Sequence, residues 1–152
     1  MYDLFISHMK HKPLCEAKWT VDLELDASFE WKKIHVNLKH LTKDTKLLWF
    51  QYRILHRILC TNKLLFTLKI RTSPLCSICN TTAESIPQLL YFCPTVNNIW
   101  HCIEDWILQC TNNAVNFDAL TVLLCLPGKN NTGLNLIILL AKYHIYQCSR
   151  KK

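Results

Sequence analysis

The chain has 152 residues, half of them hydrophobic, with only two glycines and nine cysteines. That length supports one domain with its own core, and the shortage of turn-forming glycine argues against a many-stranded β fold. A formal net charge of +7 and an isoelectric point near 9.0 favour an anionic partner such as nucleic acid, and no apolar run approaches the roughly 20 residues of a membrane helix.

In chain order, Tyr2, Leu4, Phe5 and Ile6 suggest a short helix, and Pro13 interrupts. Trp19 to Leu25 alternates apolar and polar residues, a strand-like signal in an extended segment. Ser28 reads as an N-cap for a helix carrying Trp31, Ile34 and Leu38 on one side. Residues 1–43 are weakly patterned and read as a peripheral segment.

From Asp44 the pattern sharpens. Asp44 or Thr45 caps a helix expected to run to about Leu59, with Leu47, Leu48, Gln51, Ile54, Leu55, Ile58 and Leu59 on its inner face. Lys46, Arg53 and Arg57 fall seven and four residues apart and share the opposite face, flanked by Trp49 and Tyr52. Thr61-Asn62 starts a short helix with Leu64, Leu65 and Leu68 inward and Lys63, Lys69 and Arg71 outward. Between Lys43 and Arg71 stand seven Lys or Arg residues and one acid, Asp44. A positive helix face with interleaved aromatics suits a phosphate backbone and unstacked bases; it also suits an ordinary solvated amphipathic helix.

Leu75-Cys76-Ser77-Ile78-Cys79 follows. A Cys-x-x-Cys pair puts two thiolates on one tight turn, half of a tetrahedral zinc site, and Cys93 supplies a third sulfur. Glu84 to Phe92 reads as helical, with Pro87 in its first turn. Pro94 opens a helix to about Gln109 that buries Ile99, Ile103, Trp106 and Ile107. Thr111 to Asn116 is a polar loop, and Phe117 to Leu126 is helix or strand. Pro127 to Gly133 is a turn, and Leu134 to about Cys148 forms a final helix, apolar until Lys142.

The residues from Asp44 to Leu59, then Thr61-Asn62, Ser73-Pro74-Leu75-Cys76-Ser77-Ile78-Cys79, Glu84, Leu89, Cys93-Pro94 and Ile99-Trp100, resemble the zinc-binding region of reverse transcriptases from non-LTR (LINE-type) retrotransposons. Leu134 to Tyr146 is similar to that family's closing helix. The resemblance implies a carboxy-terminal accessory module that helps hold template RNA or target DNA near the polymerase domain during target-primed reverse transcription. It raises the expectation of nucleic-acid contact by Lys46, Arg53, Arg57, Lys63, Lys69 and Arg71. It implies zinc as the cofactor, on Cys76, Cys79 and Cys93. The family places a histidine before its last cysteine; this sequence has Gln88 there, a poor zinc ligand beside thiolates. His101 and Cys102 are the nearest substitutes, about 12 Å along a helix from Cys93. The alternatives are a three-thiolate site completed by water or another ligand, or three cysteines packed in a small core.

The sequence holds no pair of adjacent aspartates for a two-metal polymerase site, no glycine-rich phosphate loop and no hydrolase motif. Glu104-Asp105 point in different directions on a helix, and Cys60 lies four residues from His56 with nothing to orient the imidazole. The expectation is therefore a mostly α, single irregular helical domain with a central zinc-knuckle-like Cys turn. It divides into residues 1–43, a reverse-transcriptase-like region 44–110, and a tail 111–152 with an apolar helix and basic end. It has no catalysis of its own, no small-molecule substrate and no membrane partner. The Met1-Tyr2-Asp3 start lacks a secretory signal, so the expected location is a reducing intracellular one, nucleus or cytoplasm. The alternative to nucleic-acid binding is a structural fragment that docks on a polymerase body, or an inactive retroelement remnant.

Overall fold

The computed structural model describes residues 13–38, 40–125 and 131–151. The helix expected near Tyr2 to Ile6 and most of the turn expected at Pro127 to Gly133 lie outside them. The described residues form seven α-helices and one π-helical turn: α1 Leu14–Asp22, α2 Trp31–Leu38, α3 Thr45–Leu55, α4 Asn62–Thr67, the π-turn Gln88–Phe92, α5 Pro94–Thr111, α6 Ala119–Leu124 and α7 Thr132–Arg150. Among the described residues there is no strand, only an isolated antiparallel bridge between Leu75 and Ala83. The mostly α class holds.

Side-chain caps explain where several helices start. The Asp44 carboxylate accepts from the amides of Lys46 and Leu47, Thr61 accepts from Leu64, and Asp118 accepts from Thr121. Helix ends follow a different rule. Four helices stop on a non-glycine residue in the left-handed region: α5 on Asn112, with φ of 55°, and three others on Glu24, Arg57 and Lys69, with φ of 50°, 58° and 58°. The last three carry the paired hydrogen bonds of a Schellman cap, as when Ile58 N–H reaches Arg53 C=O and Arg57 N–H reaches Ile54 C=O. Helix α3 therefore ends at Leu55, four residues short of the expected Leu59.

The expected strand at Trp19 to Leu25 is instead part of α1 and its cap. Trp19 is fully buried, and its indole N–H donates to the Leu55 carbonyl at 2.9 Å. Helix propensity and this tertiary anchor overrule a weak alternation. Ile34 of α2 and Leu41 are also buried, so residues before Asp44 contribute to the core.

The centre of the core is Phe50, Ile54 and Leu59, with Leu89 and Leu90 of the π-turn, Val96 and Trp100 of α5, Val122 and Leu123 of α6, and Ile138 and Leu139 of α7. Helix α7 packs on α3 and on the π-turn, and α6 packs on both as well. Four inward assignments fail: Ile58, Leu68, Ile99 and Trp106 are exposed, Ile58 because α3 has already ended at Leu55, while Val96 and Trp100 take the buried face of α5. Two successive inward turns of α5 are Val96 and Trp100, four residues apart, and this register points Ile99 outward.

Lys142 is the other departure. It does not end an apolar face but is wholly buried, donating to Gln51 Oε1 at 2.6 Å and to the Leu123 carbonyl at 3.4 Å. Its Nζ lies 3.5 Å from Cys125 Sγ. Burial pulls its pKa below the ordinary 10.5, with Cys125 acting in the opposite direction.

Candidate metal centre and basic helices

The cysteine turn is built by short-range backbone bonds. Cys76 N–H donates to the Thr82 carbonyl at 2.8 Å, and Asn80 N–H donates to the Cys76 carbonyl at 2.9 Å. Asn80 sits at φ 56°, a conformation asparagine tolerates better than most residues. This turn points Cys76 and Cys79 the same way. Cys93 arrives from the π-turn, where its amide donates to the Gln88 carbonyl at 2.8 Å, five residues back. The next residue, Pro94, has no N–H for the Leu90 carbonyl, and the Trp100 indole serves that carbonyl instead at 2.9 Å. The tryptophan that closes the motif thus fixes the loop that delivers the third sulfur.

The Cys76, Cys79 and Cys93 sulfurs all lie within 4.8 Å of one another. Among the described residues they are the group of three or more His, Cys, Asp or Glu side chains that could hold a metal ion. Cys76 and Cys93 are buried and Cys79 is half-buried. Burial pushes the Cys76 thiol up to about 11. Hydrogen bonding from Thr81, whose hydroxyl lies 3.1 Å from the sulfur, pulls Cys79 down to about 6. The donor set fits zinc: three convergent sulfurs, two on a rigid turn and one at the end of the π-turn, with Cys79 poised as thiolate. A bound zinc ion would staple the turn to the start of α5, and binding it would release the Cys76 proton.

Gln88 faces this cluster. Its amide Nε2 lies 3.8 Å from Cys79 Sγ, so the glutamine occupies the neighbourhood of the fourth corner without offering a good ligand. The candidate substitutes do not converge there. His101 is exposed and pairs with Glu104 at 2.9 Å, and Cys102 is exposed on α5.

The cysteine turn and α4 are one unit. Asn62, the first residue of α4, donates from its side chain to the Leu75 carbonyl at 2.7 Å and to Ser77 Oγ at 3.0 Å. Its backbone N–H donates to Glu84 Oε1 at 2.9 Å, and Lys63 N–H donates to the Glu84 carbonyl. Glu84 is fully buried and also takes the Ser77 amide and hydroxyl and the Arg150 guanidinium. No short-range sequence signal links Glu84 to Arg150; only the tertiary fold brings them together.

The predicted basic residues fall into two sets. Lys46, Lys63, Lys69 and Arg71 are exposed. Arg53 and Arg57 are half-buried, and the end of α3 at Leu55 takes Arg57 off the shared helical face. Arg57 turns toward α1, with Nη2 2.6 Å from Asp22 Oδ2 and its guanidinium 4.4 Å from the Trp19 ring centroid. The Arg53 guanidinium lies 6.0 Å from the Tyr146 ring centroid. His56 does not face Cys60; its Nδ1 lies 3.9 Å from Cys15 Sγ, and its neighbour His35 pairs with Glu16 at 3.0 Å. Periodicity within one helix carried no signal for these contacts between α1, α2 and α3.

With the thiol cluster established, comparison with known families is decisive. The sequence pattern of the family described as zinc-binding in reverse transcriptase matches residues 2–100, well over half the chain. The chain belongs to this family. No curated protein and no solved structure matches it. The match to the reverse-transcriptase zinc-binding family ends at Trp100, yet α6 and α7 complete the core beneath the cysteine turn. No helix among the described residues is long and apolar enough to cross a membrane.

Proposed function

We propose that this chain is a non-catalytic, nucleic-acid-binding accessory module of a non-LTR (LINE-type) reverse transcriptase. In this reading it helps hold RNA template or target DNA for the polymerase domain of the parent protein. The observation that carries the proposal is the rigid link from the thiol cluster to α4, through Asn62, Ser77 and Glu84. Zinc on the turn would keep α4 and the segment after it in place. That segment presents Lys63, Lys69 and Arg71 to solvent, and cations on a fixed frame suit a phosphate backbone. Family membership supports the setting, beside a reverse transcriptase.

A second reading has its own observation. Phe66, Leu68 and Ile70 are exposed between the same basic residues, at 46 %, 58 % and 68 %, which suits docking on a protein body. A salt titration separates the two. The module binds labelled RNA or DNA with affinity that falls steeply with salt, and replacing Lys63, Lys69 and Arg71 by alanine lowers the log–log slope by roughly 0.7–0.9 for each phosphate those side chains neutralise. Absence of binding at low salt overturns the first reading and leaves the second. Arg57→Ala serves as a control: with its side chain committed to Asp22 and Trp19, its removal lowers stability rather than the salt slope.

A further inference from the structure

The outer face of α3 carries a ladder of rings that the metal cluster does not explain. Trp49 is 57 % exposed, an unusual position for the largest apolar side chain. It stacks on Tyr52 with centroids 5.1 Å apart and an interplanar angle of 8°. Tyr52 in turn packs on His56 at 4.1 Å, and His56 neighbours His35 at 5.9 Å. The ladder continues through Trp31 and Phe29. Tyr52 and His56 are half-buried, so the ladder is anchored at one end, and Trp49 presents its other side to water.

Charge surrounds that open end. Lys46 and Arg53 stand three residues before and four residues after Trp49, on the same side of the helix. Lys46 is exposed, while Arg53 is half-buried, its Nε buried without a hydrogen-bond partner and its guanidinium 6.0 Å from the Tyr146 ring centroid. The flanking segment from Lys43 to Arg71 holds a single acid, Asp44. An indole already stacked on one side, fixed in orientation and flanked by the exposed Lys46 complements a flat π-face joined to a phosphate. It is less suited to duplex, whose bases are stacked on each other.

We infer that Trp49, backed by Tyr52 and His56, is a stacking platform for an unpaired nucleobase, with the exposed Lys46 facing an adjoining phosphate. The inference rests on the nucleic-acid reading above and narrows it to single-stranded RNA or DNA.

The test uses the full chain, with fluorescence anisotropy of a labelled oligouridylate of about twelve nucleotides and of a duplex of the same length. Trp49→Ala weakens single-strand binding by about tenfold, leaves duplex binding within about twofold, and does not change the salt slope, because the indole neutralises no phosphate. Trp49→Phe keeps most of the affinity, and Lys46→Ala lowers the slope by roughly 0.7, as expected for one phosphate of a single strand. Unchanged single-strand affinity in Trp49→Ala, with affinity still falling on replacement of Lys63, Lys69 and Arg71, overturns the platform but not the nucleic-acid reading. Equal losses for single strand and duplex, with a lowered melting temperature, also overturn it, by making Trp49 a structural residue. A chain that binds neither probe at low salt overturns both proposals and assigns this face to a protein partner.

Discussion

Arg150, in the last turn of α7, closes onto Glu84, which stands beside the cysteine turn 66 residues earlier in the chain. The same guanidinium reaches the Cys60 carbonyl, Asn62 Oδ1 and Ser77 Oγ, at 3.3–3.4 Å. A residue outside the family match thus neutralises the one carboxylate that organises the match's metal turn.

The first prediction concerns this pair. Arg150→Ala leaves the Glu84 carboxylate buried with amide and hydroxyl donors but no counter-charge. Breaking a buried pair costs roughly 3–5 kcal/mol; because Arg150 keeps contact with water, we expect about 2–3 kcal/mol. Urea denaturation measures the loss. A loss below about 0.5 kcal/mol would show that Arg150 is a surface charge with no structural part.

Acid sensitivity follows from the same carboxylate. Burial is the largest influence on Glu84 and raises its pKa, but hydrogen bonds from Ser77, Asn62 and Arg150 together outweigh it, and the net value lies below the ordinary 4.5. Between the folded value and 4.5 the unfolded chain binds more protons, so stability rises with pH across that window. The contribution is complete above about pH 4.5 and is lost as pH falls through the folded value. Glu84→Gln should therefore show a shallower acid limb in unfolding free energy than the unsubstituted chain. Parallel limbs would mean that Glu84 is not the titrating group.

How much of this was legible in the sequence depends on where each signal lives. Three helix starts were legible, because Asp44, Thr61 and Pro94 act through neighbours within three residues; the N-cap read at Ser28 was misplaced, since α2 begins at Trp31. The cysteine spacing was legible for the same reason. Helix ends were not: Glu24, Arg57 and Lys69 adopt left-handed φ with no glycine to announce it. The burial of Lys142 and the pairing of Arg57 with Asp22 depend on partners tens of residues away, and periodicity along a single helix carries no information about them.

Lys69 turns that lesson into a measurement. It holds the left-handed cap position after α4, with Ile70 N–H bonded to the Leu65 carbonyl at 2.9 Å, and its side chain is exposed. A left-handed conformation costs a side-chain-bearing residue roughly 1–2 kcal/mol, of which glycine's greater freedom in the unfolded chain returns about half. Lys69→Gly is expected to be about 0.5–1 kcal/mol more stable than Lys69→Ala, while both remove the same exposed charge. Equal stabilities would place Lys69 outside the left-handed region.

The glutamine beside the thiols gives the last prediction. Gln88 sits within 3.8 Å of Cys79 Sγ, where the π-turn delivers it next to the three sulfurs. An imidazole at this position would supply the fourth donor of a tetrahedral site. A complete structural zinc site contributes roughly 10–16 kcal/mol through four ligands, so Gln88→His should tighten zinc on the order of 100-fold. The same ion should raise the melting temperature of Gln88→His more than that of the unsubstituted chain, because it binds the folded state alone. Competition with a chromophoric chelator reads the affinity, and Cys93→Ser should abolish both effects by removing the sulfur that joins the turn to α5. If Gln88→His gains no affinity while the cysteines remain reduced, the π-turn does not aim its first residue at the metal, and the fourth ligand must come from elsewhere.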